Sequence, residues 1–380
     1  MKPENRFRCW VEIDLAALER NLGSIRSALP RHIRYIAVVK ADAYGHGLYQ
    51  TVARLMQCGA DIFAVANIHE GAEIREIGSG WPILILSPLL PEEDRYVLDY
   101  NLIPTLSSPE ELKRYNALGQ KADRRLPIHL KIDTGMGRIG VWHEQAEELY
   151  RLAQEAQNVE IQGAFTHFSS AATDPEYTRY QRTLFLETIA RFPKEDLTDM
   201  LIHADNSAGL ETLSPESSFN AVRVGLLQFG VSPYQDSMLS RVNTEPVLSF
   251  HTRVGLVKNL PAGTSISYGR TYQLTRPSKV AILTAGYGDG IPTSLSNKGQ
   301  VLIQGQCCPI LGAITMDQTM VDVTNLEQVE IGEQATLIGS QGKETITASQ
   351  FSIWSKDIPW EIFCSITKRV PRVYRTARSI

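Results

Sequence analysis

The chain has 380 residues, 43% of them hydrophobic and 21% charged, which is ordinary globular composition and enough for two domains with a large core. Its formal net charge of −4 argues against a nucleic-acid or anionic-membrane partner. Met1 to Arg8 is polar with no apolar signal core, and no apolar run is long enough to cross a bilayer, so a cytoplasmic location is expected. In chain order, Cys9 to Ile13 reads as a short strand. Asp14 follows as an N-cap, and Leu15 to Leu29 carries apolar residues at helical spacing until Pro30 ends it. Strand-like runs then recur at Ile33 to Ala41, Ile62 to Asn67, Ile83 to Leu86, Ile103 to Leu106 and Ile128 to Asp133. Three more follow at Ile161 to His167, Leu201 to Asn206 and Ala221 to Leu226. Amphipathic stretches such as Pro109 to Leu118, Glu144 to Ala156 and Pro175 to Ala190 lie between them.

Strands alternating with helices on this scale predict an α/β domain, a (β/α)8 barrel of the TIM type over residues 11–240. An open doubly wound sheet is the alternative on pattern alone; the number of runs favours the barrel. From Pro246 onward strands dominate: Val247 to Val257, Lys279 to Ala285, Gln300 to Gln304, Met320 to Val323 and Ala335 to Gly339. Residues 241–380, joined by residues 1–10, are therefore expected to form a second, mainly β domain with few helices. The cysteines Cys9, Cys58, Cys307, Cys308 and Cys364 are scattered and odd in number, with no metal-type pair. They read as small buried hydrophobes in a reducing cytosol, and no metal site is expected.

The first barrel run stops at a single lysine, Lys40, and the small turn Ala41-Asp42-Ala43-Tyr44-Gly45-His46-Gly47 follows at once. A lysine at the carboxyl end of a buried strand lies where ligands of α/β folds bind. Partial desolvation there disfavours the ammonium and makes the amine a usable nucleophile or base. The stretch alone also suits a lysine that snorkels to water from a strand end. Other strand ends carry polar residues too: Lys131, Asp133 and Arg138 on the fifth, His167 on the sixth, His203, Asn206 and Ser207 on the seventh, Arg223 on the eighth. Successive strands of one barrel contributing polar ends point to its catalytic rim.

The Lys40–Gly47 stretch resembles the signature of alanine racemases. So do Lys131-Ile132-Asp133-Thr134-Gly135-Met136-Gly137-Arg138-Ile139-Gly140 and Arg223-Val224-Gly225-Leu226. In the β domain, Ser267-Tyr268-Gly269-Arg270-Thr271-Tyr272, Gly286-Tyr287-Gly288-Asp289-Gly290 and Met316-Asp317-Gln318 match in the same order. The resemblance implies interconversion of L- and D-alanine by a two-base mechanism with pyridoxal 5'-phosphate, supplying D-alanine for peptidoglycan. It implies that Lys40 holds the cofactor and serves the D face, while Tyr268 serves the L face from the partner subunit of a homodimer. Tyr44, Asn206, Ser207 and the backbone of Gly225 and Leu226 would bind the phosphate, and Arg223 would face the pyridine nitrogen. His167 and Arg223 would connect to Tyr268 and supply positive charge that favours its phenolate. Arg138 would meet the cofactor's phenolic oxygen and, with the backbone N–H of Met316, the substrate carboxylate; the family often carbamylates a lysine at the position of Lys131.

Four positions depart from the family in one region. The charged residues of its substrate corridor appear here as Ala172, Thr293 and Ala313, and its C-terminal tyrosine as Trp360. A racemase of another small amino acid such as serine is therefore an alternative. A non-catalytic pyridoxal-phosphate carrier is another, but such a protein is a barrel alone and has no counterpart of Tyr268.

Overall fold

The computed structural model describes residues 7–171, 173–207, 219–231 and 242–376. Eight parallel barrel strands run Arg34–Val38, Ile62–Val65, Ile83–Ile85, Thr105–Leu106, Leu126–Asp133, Val159–Phe165, Leu201–His203 and Ala221–Val224. Their residues are almost all buried, as β-branched runs covered on both faces must be. Two four-strand arcs close on each other. Ile85 N–H bonds Ile103 C=O at 2.9 Å on one seam, and Asn220 N–H bonds Ile202 C=O at 3.1 Å on the other. Side-chain caps start the intervening helices: Asp14 accepts from Ala16 and Ala17, Asn67 from Glu70, Ser108 from Glu111 and Asp174 from Tyr177. Each cap satisfies backbone N–H groups that have no partner inside the helix.

The barrel expectation holds, with shifted strand ends. The first strand stops at Val38 rather than at Ala41, because the backbone leaves the strand region at Val39, where ψ is 21°, and turns to positive φ from Ala41 onward. The sixth stops at Phe165 and the seventh at His203, so His167, Asn206 and Ser207 lie on loops beyond them. Fewer cysteines are buried than expected. Cys9 and Cys308 are buried, Cys58 is half-buried, and Cys307 and Cys364 are exposed.

The second domain centres on a sheet whose longest strand is Leu248–Leu260. The early strand Cys9–Asp14 pairs antiparallel with it and, on its other side, parallel with Arg372–Arg375. Glu12 receives a bidentate bond from Arg375 at 2.8 and 3.0 Å across that junction. Strands Gln306–Pro309, Glu344–Ile346 and Arg372–Arg375 and helices Ala348–Ser355 and Pro359–Ser365 add to the expected set. The helix Pro359–Ser365 leaves the sheet and seats on the barrel. A Cβ at Gly45, where φ is +75°, would fall 2.3 Å from the Phe363 carbonyl oxygen. Arg372 Nε also donates to the Gly45 carbonyl at 3.1 Å. Ala172 and the expected domain junction near residue 240 lie outside the described residues.

Candidate active site

Lys40 follows the first barrel strand and opens a turn in which Ala41, Asp42, Ala43 and Tyr44 all have φ between +52 and +55°. Left-handed backbone costs a side-chain-bearing residue about 1–2 kcal/mol, so this turn stores several kcal/mol that surrounding contacts must offset. Burial, and then the Arg138 guanidinium, pull the Lys40 ammonium below its ordinary range, while Glu70 opposes them. The end of the strand is tied to the eighth: Gln228 Nε2 donates to the Val38 carbonyl at 2.9 Å. That tie brings Gly225 and Leu226 beside the Lys40 turn. A Cβ on Gly225 would lie 2.6 Å from the Tyr44 hydroxyl, so this close approach requires glycine. Ser207 Oγ accepts the Gly225 N–H at 3.0 Å from the other side.

Arg223 is fully buried and donates to five acceptors. Two are ring nitrogens, His203 Nδ1 at 2.7 Å and His167 Nδ1 at 3.2 Å; the others are the carbonyls of His203, Thr166 and Ala204. A guanidinium has no acceptor, so both Nδ1 atoms accept and both rings carry their proton on Nε2. His203 Nε2 then donates to His129 Nδ1 at 3.1 Å, which continues the chain into the barrel core. Burial, then Arg223, hold His167 and His203 far below the usual imidazole range. Arg223 itself is lowered by burial to about 10 and remains charged at neutral pH. The positive charge of this relay is therefore on Arg223, and His167 enters as a neutral donor rather than the cation expected from sequence.

Lys131 is fully buried, its Nζ 4.5 Å from the Phe165 ring centroid. Burial, then Arg223 and Arg138, push its ammonium well below the ordinary lysine range, against only Asp133. Asp133 organises the next loop: Oδ1 accepts the N–H groups of Gly135, Met136 and Gly137, and Oδ2 accepts Gly137 again at 2.9 Å. The loop delivers Arg138, which is exposed at the mouth. Lys40, Tyr44, Lys131, Arg138, His167, Ser207, Arg223 and Gly225 thus share one end of the barrel, where donors outnumber carboxylates. Asn206 adjoins them, half-buried.

The β-domain residues sit elsewhere on this chain's surface. Tyr268 is 77% and Met316 52% exposed. Tyr268 lies on a turn with positive φ at Ser267, Gly269 and Arg270. Ser267 Oγ donates to the Ala313 carbonyl at 2.6 Å, and Ser296 Oγ accepts the Ile314 N–H at 3.0 Å just after the Thr293–Leu295 turn. Two of the corridor departures, Thr293 and Ala313, therefore share one stitched face with Tyr268. The Met316 loop is held by Gly288 N–H on the Met316 carbonyl at 2.9 Å and by Arg369, which bonds Asp289 and Asp317. Trp360 is half-buried on the helix above the Lys40 turn.

A glycine-made gap between two hydroxyls, beside a desolvated lysine and a fixed guanidinium, fits an anionic aldehyde cofactor. Fold and site together define a barrel-type, pyridoxal-phosphate-dependent enzyme of amino-acid chemistry, an isomerase. The family model described as alanine racemase, N-terminal domain, matches residues 13–233, and that of the C-terminal domain matches 247–374. The alanine racemase of Symbiobacterium thermophilum is 40% identical over 366 residues, 96% of each chain. That of Halothermothrix orenii is 38% identical over 367 residues, again 96% of each. Among solved structures, alanine racemase from Clostridium difficile superposes with a TM-score of 0.92 at 30% identity, covering 98% of this chain and 97% of that one. The Bartonella henselae alanine racemase with covalently bound pyridoxal phosphate gives a TM-score of 0.87 at 27% identity, over 97% and 100%. The chain belongs to the alanine racemase family, and its reaction is the interconversion of L- and D-alanine.

Sequence reading missed Glu70, His129 and Arg369. Glu70 follows Asn67 at the spacing of a capping box, which signals a helix start and conceals a second task. His129 is a lone histidine in a buried strand, and no spacing marks its pairing with His203.

Proposed function

We propose that the two alanine enantiomers are interconverted by Lys40 and Tyr268 acting as bases on opposite faces of the substrate, in sites shared between two subunits. When bound, pyridoxal phosphate withdraws electrons from the substrate's Cα and so acidifies its proton. Tyr44, Asn206, Ser207 and the backbone of Gly225 and Leu226 would hold its phosphate. Arg223 would present its positive charge to the pyridine nitrogen of the bound cofactor. Arg138 and the Met316 N–H orient the substrate carboxylate. Lys40 takes or returns the proton on the D face. Tyr268 does so on the L face, and His167, with its proton fixed on Nε2 by Arg223, donates to the phenolic oxygen and favours its ionised form. Lys131, a buried amine whose ammonium is disfavoured by burial, Arg223 and Arg138, is placed to add carbon dioxide as a carbamate, releasing one proton and gaining a negative charge that orients Arg138.

The observation that carries this reading is the division of the site. Lys40 and its supporting groups are built into the barrel mouth, while Tyr268 and Met316 are exposed on the β domain of the same chain. A two-fold homodimer that sets each β domain on the other barrel completes both sites. The domains divide near residue 240, with the first strand counted to the second domain. The enzyme works in the cytoplasm and provides D-alanine for the cell wall. Incubation in D2O tests the two-base assignment. Tyr268→Phe should stop racemisation yet still exchange the α-proton of D-alanine through Lys40. Exchange confined to L-alanine in that variant would overturn it. A second reading, with serine as a strong competitor, draws on the neutral Thr293 and Ala313 and on Trp360.

A further inference from the structure

The stretch after Lys40 contains groups for which the reaction has no task. Ala41–Tyr44 form a left-handed turn with no glycine in it, and such a turn does not hold itself. Its local bonds are Ala43 N–H to the Val39 carbonyl and Gly45 N–H to the Ala41 carbonyl, both 2.9 Å, His46 N–H to the Ala43 carbonyl at 3.2 Å, Gly47 N–H to the Asp42 carbonyl at 3.0 Å, and Leu48 N–H to Asp42 Oδ1 at 2.7 Å. The remaining support comes from outside. Glu70, in the first turn of the helix Ile68–Ile77, accepts the Ala41 N–H on Oε1 at 2.5 Å and the Ala66 N–H on Oε2 at 2.9 Å. Its carboxylate ties the turn to the end of the neighbouring barrel strand.

On the opposite side lies His46, fully buried, with Nδ1 3.1 Å from the Ala43 carbonyl and 2.9 Å from the Tyr44 carbonyl. Carbonyls only accept, so Nδ1 carries the proton and Nε2 is left as a buried acceptor without a partner. A buried unsatisfied nitrogen is costly, and its retention indicates that the Nδ1 bonds and the ring's packing are what the position requires. The ring stacks on Phe229 at 4.1 Å, within the same segment as Gly225 and Leu226, and meets the Phe363 edge at 5.1 Å. His46 therefore locks the far end of the turn to the phosphate-binding segment and to the helix that carries Trp360.

We propose that Glu70 and His46 are positioning residues that hold Ala41–Tyr44 left-handed before the cofactor arrives, so that Lys40 and Tyr44 meet pyridoxal phosphate already in place. The proposal rests on the reading that Lys40 carries the cofactor. Neither residue touches substrate; both act through the backbone of the turn. Preorganisation of this kind converts directly into cofactor affinity, because the ordering cost is met at folding rather than at binding.

Hydrogen exchange on the wild-type apoprotein tests the first half. A peptide spanning residues 40–47 should be strongly protected without cofactor. Exchange at the rate of an unstructured segment, with protection appearing only after pyridoxal phosphate is added, overturns the proposal. Cofactor affinity of folded apoprotein tests the second half. Glu70→Gln keeps the shape but turns an amide NH2 toward one of the two N–H donors, and should bind pyridoxal phosphate roughly tenfold more weakly. Glu70→Ala should lose roughly a hundredfold. Glu70→Asp keeps the charge but cannot span both amides, and its failure to restore affinity separates reach from charge. Wild-type affinity in Glu70→Gln and Glu70→Ala overturns the proposal. Borohydride reduction of the wild type, with mapping of the adduct to Lys40, tests the underlying reading separately: its failure leaves the exchange result on the turn standing.

Discussion

At the barrel mouth, Lys131 and Arg223 are buried and Lys40 is half-buried, and Arg223 alone donates to five acceptors; on the β domain, Tyr268 and Met316 stand exposed on turns. The first region acquires its chemistry by desolvation. Apolar walls shift the lysines and histidines from their ordinary values, and one guanidinium sets two histidine tautomers. The second region owes little to its own chain's interior, and on this chain its groups face solvent. One half of a site can thus be tuned by its own fold, while in the shared-site reading proposed above the other gains its low-dielectric surroundings from assembly.

The largest effect expected is at the tuned half. Lys40→Ala should lower kcat by at least about a thousandfold, as removal of a covalent and acid–base residue does. Steady-state assay of both enantiomers and loss of the reduced pyridoxyl adduct on peptide mapping check it. Sharing between subunits is broken or supported by mixing. Equal amounts of Lys40→Ala and Tyr268→Ala chains, after verified exchange, should recover about a quarter of wild-type activity, since half the dimers are hybrid and each has one intact site. No recovery means that each chain builds its own site.

Burial of histidines predicts a third effect, in stability. His46 titrates at about 4 and His129 at about 3 in the folded chain, both lowered first by desolvation, against an ordinary 6.5. Below pH 6.5 the unfolded chain therefore binds more protons than the folded one. Stability is fully present above that pH and falls as pH drops toward 4, by on the order of 3 kcal/mol for His46 alone. Chemical denaturation at pH 7.5, 6.0 and 4.5 should show the fall, and His46→Gln should flatten part of it. The smallest effect concerns the corridor. Trp360→Tyr should change the ratio of kcat/KM for alanine over serine by roughly tenfold, the worth of a small group in a pocket. An unchanged ratio removes Trp360 from the determinants of specificity.

The barrel was legible because its strands are apolar on both faces and its rim residues are not, so Lys40, Arg138, His167 and Arg223 stood out as polar ends of buried runs. The left-handed turn was not legible. Positive φ is normally announced by glycine or asparagine, and Ala41, Asp42, Ala43 and Tyr44 offer neither. The neutral state of His167 was also hidden, because residue type gives an ordinary pKa while burial beside Arg223 sets the actual one. Helix Pro359–Ser365 was missed because seven residues carry too little periodicity to register. Its seat on the barrel depends on Gly45, more than three hundred residues earlier.

The strand Cys9–Asp14 lies between Leu248–Leu260 and Arg372–Arg375, and Glu12 waits for an arginine 363 residues on. At ribosomal speeds of about 5–20 residues per second, that interval is roughly 20–70 s. Until Leu248–Leu260 is made both edges of this strand are unpaired, and from then until Arg372–Arg375 follows one edge stays open. Such an edge is a template for wrong partners, including the same strand of a neighbouring nascent chain. The last strand to be made is then the one that retires this hazard. Deleting or weakening Arg372–Arg375 should for that reason reduce soluble yield during expression more than it reduces the stability of protein already folded.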